Sequence, residues 1–205
     1  RPSQIAFKRD GLNQGVLRLE NSTTLLGSLN NGSTLGSDSL GIGKNIVSSG
    51  SKSVAIGSEA NATGTNSISI GQNTEAQFLS VAVGNAAKAN STSGGNSAVG
   101  VAIGRNAKST NTAAIAIGSE ASASGSNSIA MGQQSEASGL YSISLGMISK
   151  ATGSDSIAIG VRSDDRGARG NQSIAIGYLT GAISDYGTAL GASAEANEYS
   201  TALGT

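Results

Sequence analysis

The sequence predicts an all-β parallel solenoid built from turns of about fourteen residues, and three observations carry that prediction. Between Ala114 and Gly160 the chain reads A-I-A-I-G, S-I-A-M-G, S-I-S-L-G and S-I-A-I-G, each pentapeptide fourteen residues after the last. The closing glycine recurs at Gly43, Gly57, Gly71, Gly84, Gly104, Gly118, Gly132, Gly146, Gly160, Gly177, Gly191 and Gly204. Composition is the third observation: of 205 residues thirty are Gly, one is Pro and only 3% are aromatic. Such a chain lacks the bulk for a spherical core, so its buried space must be narrow and lined by Ile, Val, Leu and Ala. A strict period marks a stacked, quasi-one-dimensional body. About twelve turns at the ~4.8 Å strand spacing would form a rod roughly 55 Å long.

The first segment, residues 1–36, is off-pattern. Ile5-Ala6-Phe7 and Val16-Leu17-Arg18-Leu19 read as two short strands around a Gly11/Gly15 turn region, followed by a Ser/Asn/Gly-rich approach holding Leu25-Leu26-Gly27 and Leu35-Gly36. A terminal solenoid turn exposes unpaired backbone, so this segment is expected to be an N-terminal cap. Residues 37–205 are assigned to the repeats. Seven of the eleven glycine intervals are fourteen and two are thirteen; Gly84 to Gly104 and Gly160 to Gly177 contain insertions.

Within the repeat, positions are numbered from the residue after each glycine, so Ser58 is position 1 and Gly71 is position 14. Positions 11 and 13 are aliphatic, as in Ile68 and Ile70, Ile115 and Ile117, or Ile157 and Ile159, with a small residue between them. The alternation predicts a strand with 11 and 13 on the core face. Positions 3 and 5 are small, as in Ala60 and Ala62 or Ala121 and Ala123, around a polar position 4, which predicts a second short strand with its small side inward. Gly at position 14 and Gly or Asn at position 7 fall where the chain reverses, and both tolerate positive φ.

Two aliphatic side chains and a few alanines per turn bury little against the conformational cost of ordering fourteen residues. Further burial between chains is therefore expected. The small residues at position 12, namely Ser69, Ala116, Ala130, Ser144, Ala158 and Ala175, are predicted to point away from the core. They would form a stripe that admits a neighbouring roll in a homo-oligomer.

Several function classes are excluded or disfavoured. Thirteen basic and thirteen acidic residues cancel and no basic run occurs, so nucleic acid is not an expected partner. The absence of His and Cys removes Ser-His-Asp and Cys-His catalysis and most zinc or iron sites, and no cofactor or metal is expected. Glu59, Glu75, Glu120, Glu136 and Glu195 recur about once per turn and read as solvated outer-face groups rather than a converging carboxylate pair. No apolar run approaches a membrane span and no leader opens the chain. The chain reads as a fragment whose targeting and anchoring parts lie elsewhere.

The insertions are the most individual surfaces. One is a polar loop, Asn90-Ser91-Thr92-Ser93-Gly94-Gly95-Asn96; the other, around Arg162, Asp164, Asp165, Arg166 and Arg169, is dense in both signs of charge. Loops on a rigid scaffold commonly bind ligands. They also serve as clamps between subunits, here through pairs such as Arg166 with Asp164 or Asp165, and both readings stay open.

N-S-I-S-I-G at residues 66–71, N-S-I-A-M-G at 127–132, D-S-I-A-I-G at 155–160 and S-V-A-I-G at 53–57 resemble the head repeat of YadA-like trimeric autotransporter adhesins. The resemblance covers residues 37–205. It implies a left-handed parallel β-roll assembled as a homotrimer and a place on the Gram-negative cell surface. It further implies non-catalytic adhesion to extracellular-matrix proteins such as collagen or fibronectin, to host cells, or to sibling fibres in autoagglutination. No neck, heptad stalk or membrane anchor is found in these residues, so contact with a membrane is expected only through an anchor outside them. The alternative from a different class is a purely structural spacer rod in a surface or phage fibre.

Overall fold

The computed structural model describes residues 3–9, 12–20, 23–28, 34–90, 99–160 and 166–204, the first three segments as backbone alone. Three strands open the chain: β1 (Ser3–Arg9), β2 (Leu12–Glu20) and β3 (Thr23–Ser28). β1 and β2 pair antiparallel, as do β2 and β3. The two strands expected here are present and longer than the apolar runs that signalled them. Leu25-Leu26-Gly27, expected in an approach segment, lies in β3, whose Thr24 to Ser28 pair in parallel with Leu40 to Lys44 of β5 (Leu40–Lys44). The meander thus continues the sheet of the coil. Between them β4 (Thr34–Leu35) already belongs to the second wall, so coil strands begin slightly before residue 37.

From there the chain is a parallel coil with two walls. The first is a fifteen-stranded sheet in which β1, β2 and β3 are followed by twelve coil strands; the second is a twelve-stranded sheet. The glycines at position 14 bound eleven complete turns rather than twelve. A typical turn contributes three residues to the first wall, such as Ile115–Ile117, and two to the second, such as Ser122–Ala123. Register is kept from turn to turn: Ile115 faces Ile129 and Ile129 faces Ile143, with Ala116, Ala130 and Ser144 stacked beside them. The polar insertion beyond Asn90 falls in residues 91–98 and the charged one in 161–165, outside the described residues.

The interior holds four small side chains per turn. In the turn that closes at Gly132 these are Ala121, Ala123, Ser128 and Ala130, all buried. Positions 3 and 5 therefore point inward as expected, but the other wall is turned over. Ser69, Ala116, Ala130, Ser144, Ala158 and Ala175 at position 12 are 0% exposed; they line the interior and do not form an outer stripe. The aliphatic residues at 11 and 13 occupy the outer face, partly exposed, as the burial patterns of Val54–Ile56 and Ile115–Ile117 record. The physical reason is width. Walls joined by corners this short leave room for a methyl or hydroxymethyl group at each inward position, and a branched four-carbon chain must point out. Ile46 is the large exception, fully buried at position 3 of the first complete turn; position 12 of the preceding coil, just before the corner at Gly43, is Gly41.

Position 10 supplies the fourth inward residue, missed in the alternation because Ser reads as polar. Ser53, Ser67, Ser128, Ser142, Ser156 and Ser173 are 0% exposed. Each donates its hydroxyl to the carbonyl three residues earlier, at 2.6 or 2.7 Å. A buried hydroxyl is thereby satisfied and each corner is pinned.

The corners differ from expectation in one respect. Glycines at position 14 do have positive φ, as at Gly57 (130°) and Gly132 (133°), but those at position 7 do not. Where position 7 is glycine, as at Gly125, Gly139 and Gly153, coils touch: a Cβ on Gly139 would stand 1.9 Å from the carbonyl oxygen of Gly153. The left-handed non-glycine residues are instead at positions 2 and 9, such as Asn73 and Asn66, each with φ 55°. Asn bears that conformation easily, whereas Ile148 (58°) and Tyr186 (60°) occupy it at about 1 kcal/mol each.

Two stability outcomes follow from this interior. Ser144 Oγ is buried without a hydrogen-bond partner, and its neighbours in the ladder are Ala130 and Ala158. Ser144→Ala should stabilise the coil by about 1 kcal/mol, measured as a raised thermal midpoint. Gly139→Ala should lower that midpoint, because no flexible atom can yield to the added methyl.

Candidate functional site

Three surfaces carry exposed chemistry. The first is the outer face of the first wall, where rows 11 and 13 run in register along the coil. Cross-strand pairs of β-branched side chains support the sheet beneath them. Outward, nothing in the described chain covers them: Ile68, Ile103, Met131 and Ile176 are exposed, Met131 at 42%. A continuous apolar face of this length on a single chain marks a contact surface.

The bulk of that face shifts near the end of the coil. Row 11 changes from Ile to Thr at Thr188 and Thr201, and row 9 carries Tyr186 and Tyr199. Their rings stack with centroids 4.8 Å apart and planes 10° from parallel, an offset pairing favoured between aromatic quadrupoles. Tyr199 remains 74% exposed. Sequence reading missed these corner residues because no periodic signal marks them.

The second surface is the charged insertion. Arg162, Asp164 and Asp165 lie outside the described residues. Arg166 stands at the insertion's end and reaches along the rod: Nη1 donates to the Leu179 carbonyl at 3.2 Å and lies 3.4 Å from Glu195 Oε2. Its side chain passes over Gly181, at ordinary van der Waals distance from where a Cβ would stand. Arg166 is therefore tied to later coils of its own chain. Arg169 is exposed on the same stretch, with its amide bonded to Ala182.

The third surface is polar, along positions 1, 2 and 4. Lys88 and Glu75 approach at 3.6 Å, as do Lys150 and Glu136, each pair joining adjacent coils. The Glu120 carboxylate accepts hydrogen bonds from Gln134 Nε2 at 3.0 Å and from Arg105 Nη2. These contacts hold its carboxyl below the ordinary glutamate range, the Gln134 bond first, then the Arg105 bond and charge. Among the described residues, no group of three or more His, Cys, Asp or Glu is placed to hold a metal ion. Among the same described residues, no helix is long and apolar enough to cross a membrane.

The sign for Glu120 is that of a carboxylate with a depressed folded pKa. Its contribution to stability is present above the unfolded pKa and is lost as pH falls through the lower folded value. Solvent screening keeps that contribution small, so titration is the better readout. Carbon-detected NMR should place the Glu120 midpoint below that of an ordinary glutamate, and Gln134→Ala should raise it.

Comparison with known families matches the YadA head domain repeat at residues 48–74, 100–121, 123–147, 148–163 and 168–194. Among curated proteins no match is found. The larger break in the family match, residues 75–99, contains the polar insertion, and the break at 164–167 falls in the charged one. The matched segments cover more than half of the 205 residues and coincide with the regular coils, so the chain belongs to the YadA head-repeat family.

Proposed function

We propose that this chain is the adhesive head of a trimeric autotransporter displayed on a Gram-negative cell surface. In this reading it binds matrix proteins such as collagen or fibronectin, host cells or sibling fibres through surface contacts and without catalysis. Its family membership supports the adhesin class, because YadA-like adhesins assemble as trimers and bind host proteins. The observation that carries the reading is the uncovered apolar face of the first wall. Two further copies cover that face, so the subunit contact uses rows 11 and 13 rather than the small residues of position 12. The meander of residues 3–28 closes the first coil by pairing with β5 and acts as the cap.

Light scattering and binding to immobilised collagen, fibronectin and laminin test this together. A trimer that binds at least one of them saturably is expected. A monomer would overturn the assembly, and a trimer that binds none, and does not agglutinate, would leave a spacer rod.

The two faces of one strand separate the assembly from the fold. Ile129→Asp places a charge on the outer face and should yield dissociated chains with the β circular-dichroism signal retained. Ala130→Asp places it in the interior, where an unpaired charge is costly, and should abolish that signal.

A further inference from the structure

The second wall, whose outer face lies away from the apolar rows, carries a channel that the adhesive reading does not use. It has two contiguous parts, of about 380 and 350 Å³. Asn45, Glu59, Asn61, Asn73, Glu75 and Lys88 line the first part. The second continues from Lys88 along Asn106, Lys108, Glu120 and Ser122. These residues come from six consecutive coils, so the channel runs along the rod for about 24 Å at the ordinary strand spacing.

Its two borders have different origins. Position 4 of the second wall supplies Asn61, Glu75, Lys88 and Lys108, which point outward because position 5 points in. The left-handed corner at position 2 supplies Asn45 (φ 53°), Glu59 (60°), Asn73 (55°) and Asn106 (56°). An amide therefore faces a carboxylate in two coils, Glu59 with Asn61 and Asn73 with Glu75; elsewhere Asn106 faces Lys108 and Glu120 faces Ser122, while Val47 and Ala86 leave one polar group in each of the two remaining coils. The backbone beneath is held by inter-coil hydrogen bonds such as Asn61 N to Thr74 O at 2.8 Å. The Lys88–Glu75 pair at 3.6 Å and the contacts of Glu120 with Arg105 and Gln134 hold several of these groups in place.

The lining selects among ligand classes. It contains no aromatic ring, so it offers no stacking surface for nucleobases. Its carboxylates and ammoniums nearly balance, which gives a polyanion little to bind. An extended peptide docks through free backbone groups at a sheet edge, and this channel lies on a wall whose backbone is already paired between coils. What remains is a chain rich in hydroxyls, each able to donate to a carboxylate and accept from an amide or ammonium.

We infer that this channel binds an extended, uncharged glycan lying along the rod, with successive sugars hydrogen-bonded to successive coils. Individual contacts are weak at an open surface, and affinity accumulates through repetition along the channel. Binding of this kind does not depend on the trimer.

The test is an NMR titration of the ¹⁵N-labelled full chain with neutral β-linked hexasaccharides of glucose, of N-acetylglucosamine and of galactose, with a heparin hexasaccharide and a neutral extended peptide as controls. At least one neutral glycan should displace the side-chain amide signals of Asn45, Asn61 and Asn73 saturably and leave those of Asn171 and Asn197 in place. Asn61→Ala combined with Asn73→Gly, which preserves the left-handed backbone, should weaken that binding about tenfold with the thermal midpoint of the coil unchanged. The inference is overturned if no neutral glycan moves these signals, if only heparin or the peptide does, or if binding survives the double substitution. Mapping on the unsubstituted chain stands even if the double variant folds poorly.

Discussion

The structure depends on backbone meeting backbone between coils. At most of the glycines of positions 7 and 14, successive turns approach so closely that a Cβ would clash with the backbone of the next coil, at 1.9 Å for Gly125 against Gly139 and 2.2 Å for Gly43 against Gly57. Coils packed this tightly bring their two walls close, and Ala and Ser become the natural filling. Hydroxyls are admitted because Ser at position 10 finds a carbonyl of its own corner. The left-handed residues at positions 2 and 9 complete the same geometry, turning the chain within two residues so that no coil drifts out of register.

A narrow interior reverses the usual relation between size and burial. Large aliphatic residues are ordinarily the most buried, yet here the fully buried residues are overwhelmingly Ala and Ser, while Met131, Ile103 and Ile176 are exposed. The chain completes its inner packing and leaves its larger apolar surface to be covered by something else. Folding thereby uses one face of these three-residue strands and leaves the opposite face open for contact.

Much of this was legible in the residues. The period, the two strands per turn, the corners, the insertions and the opening strands all left local signals, because glycine spacing and alternation report backbone geometry directly. Alternation could not say which face was inside. Ile-Ala-Ile is consistent with either orientation, and the choice depends on how far apart the walls stand, a property of the closed coil. Ser128 and its equivalents were overlooked for a related reason, since a serine looks solvent-facing until its carbonyl partner is in place. The polar channel was hidden because Asn45, Asn61 and Asn73 are ordinary turn and surface residues one by one, and they become a row only through stacking. Within the chain Arg166 reaches Glu195, two coils onward, a partner that sequence separation hides and stacking supplies.

The bonds that join one coil to the next all point along the rod, as from Ile129 N to Ser142 O and from Glu136 N to Ser149 O. Tension applied to the ends of the chain therefore loads a series of similar junctions. A terminal coil that peels away converts about 5 Å of rod into about 48 Å of extended strand, at roughly 3.4 Å per residue over fourteen residues. The rod is in this sense a stack of reserve length that yields in steps and shortens again by re-forming the same bonds.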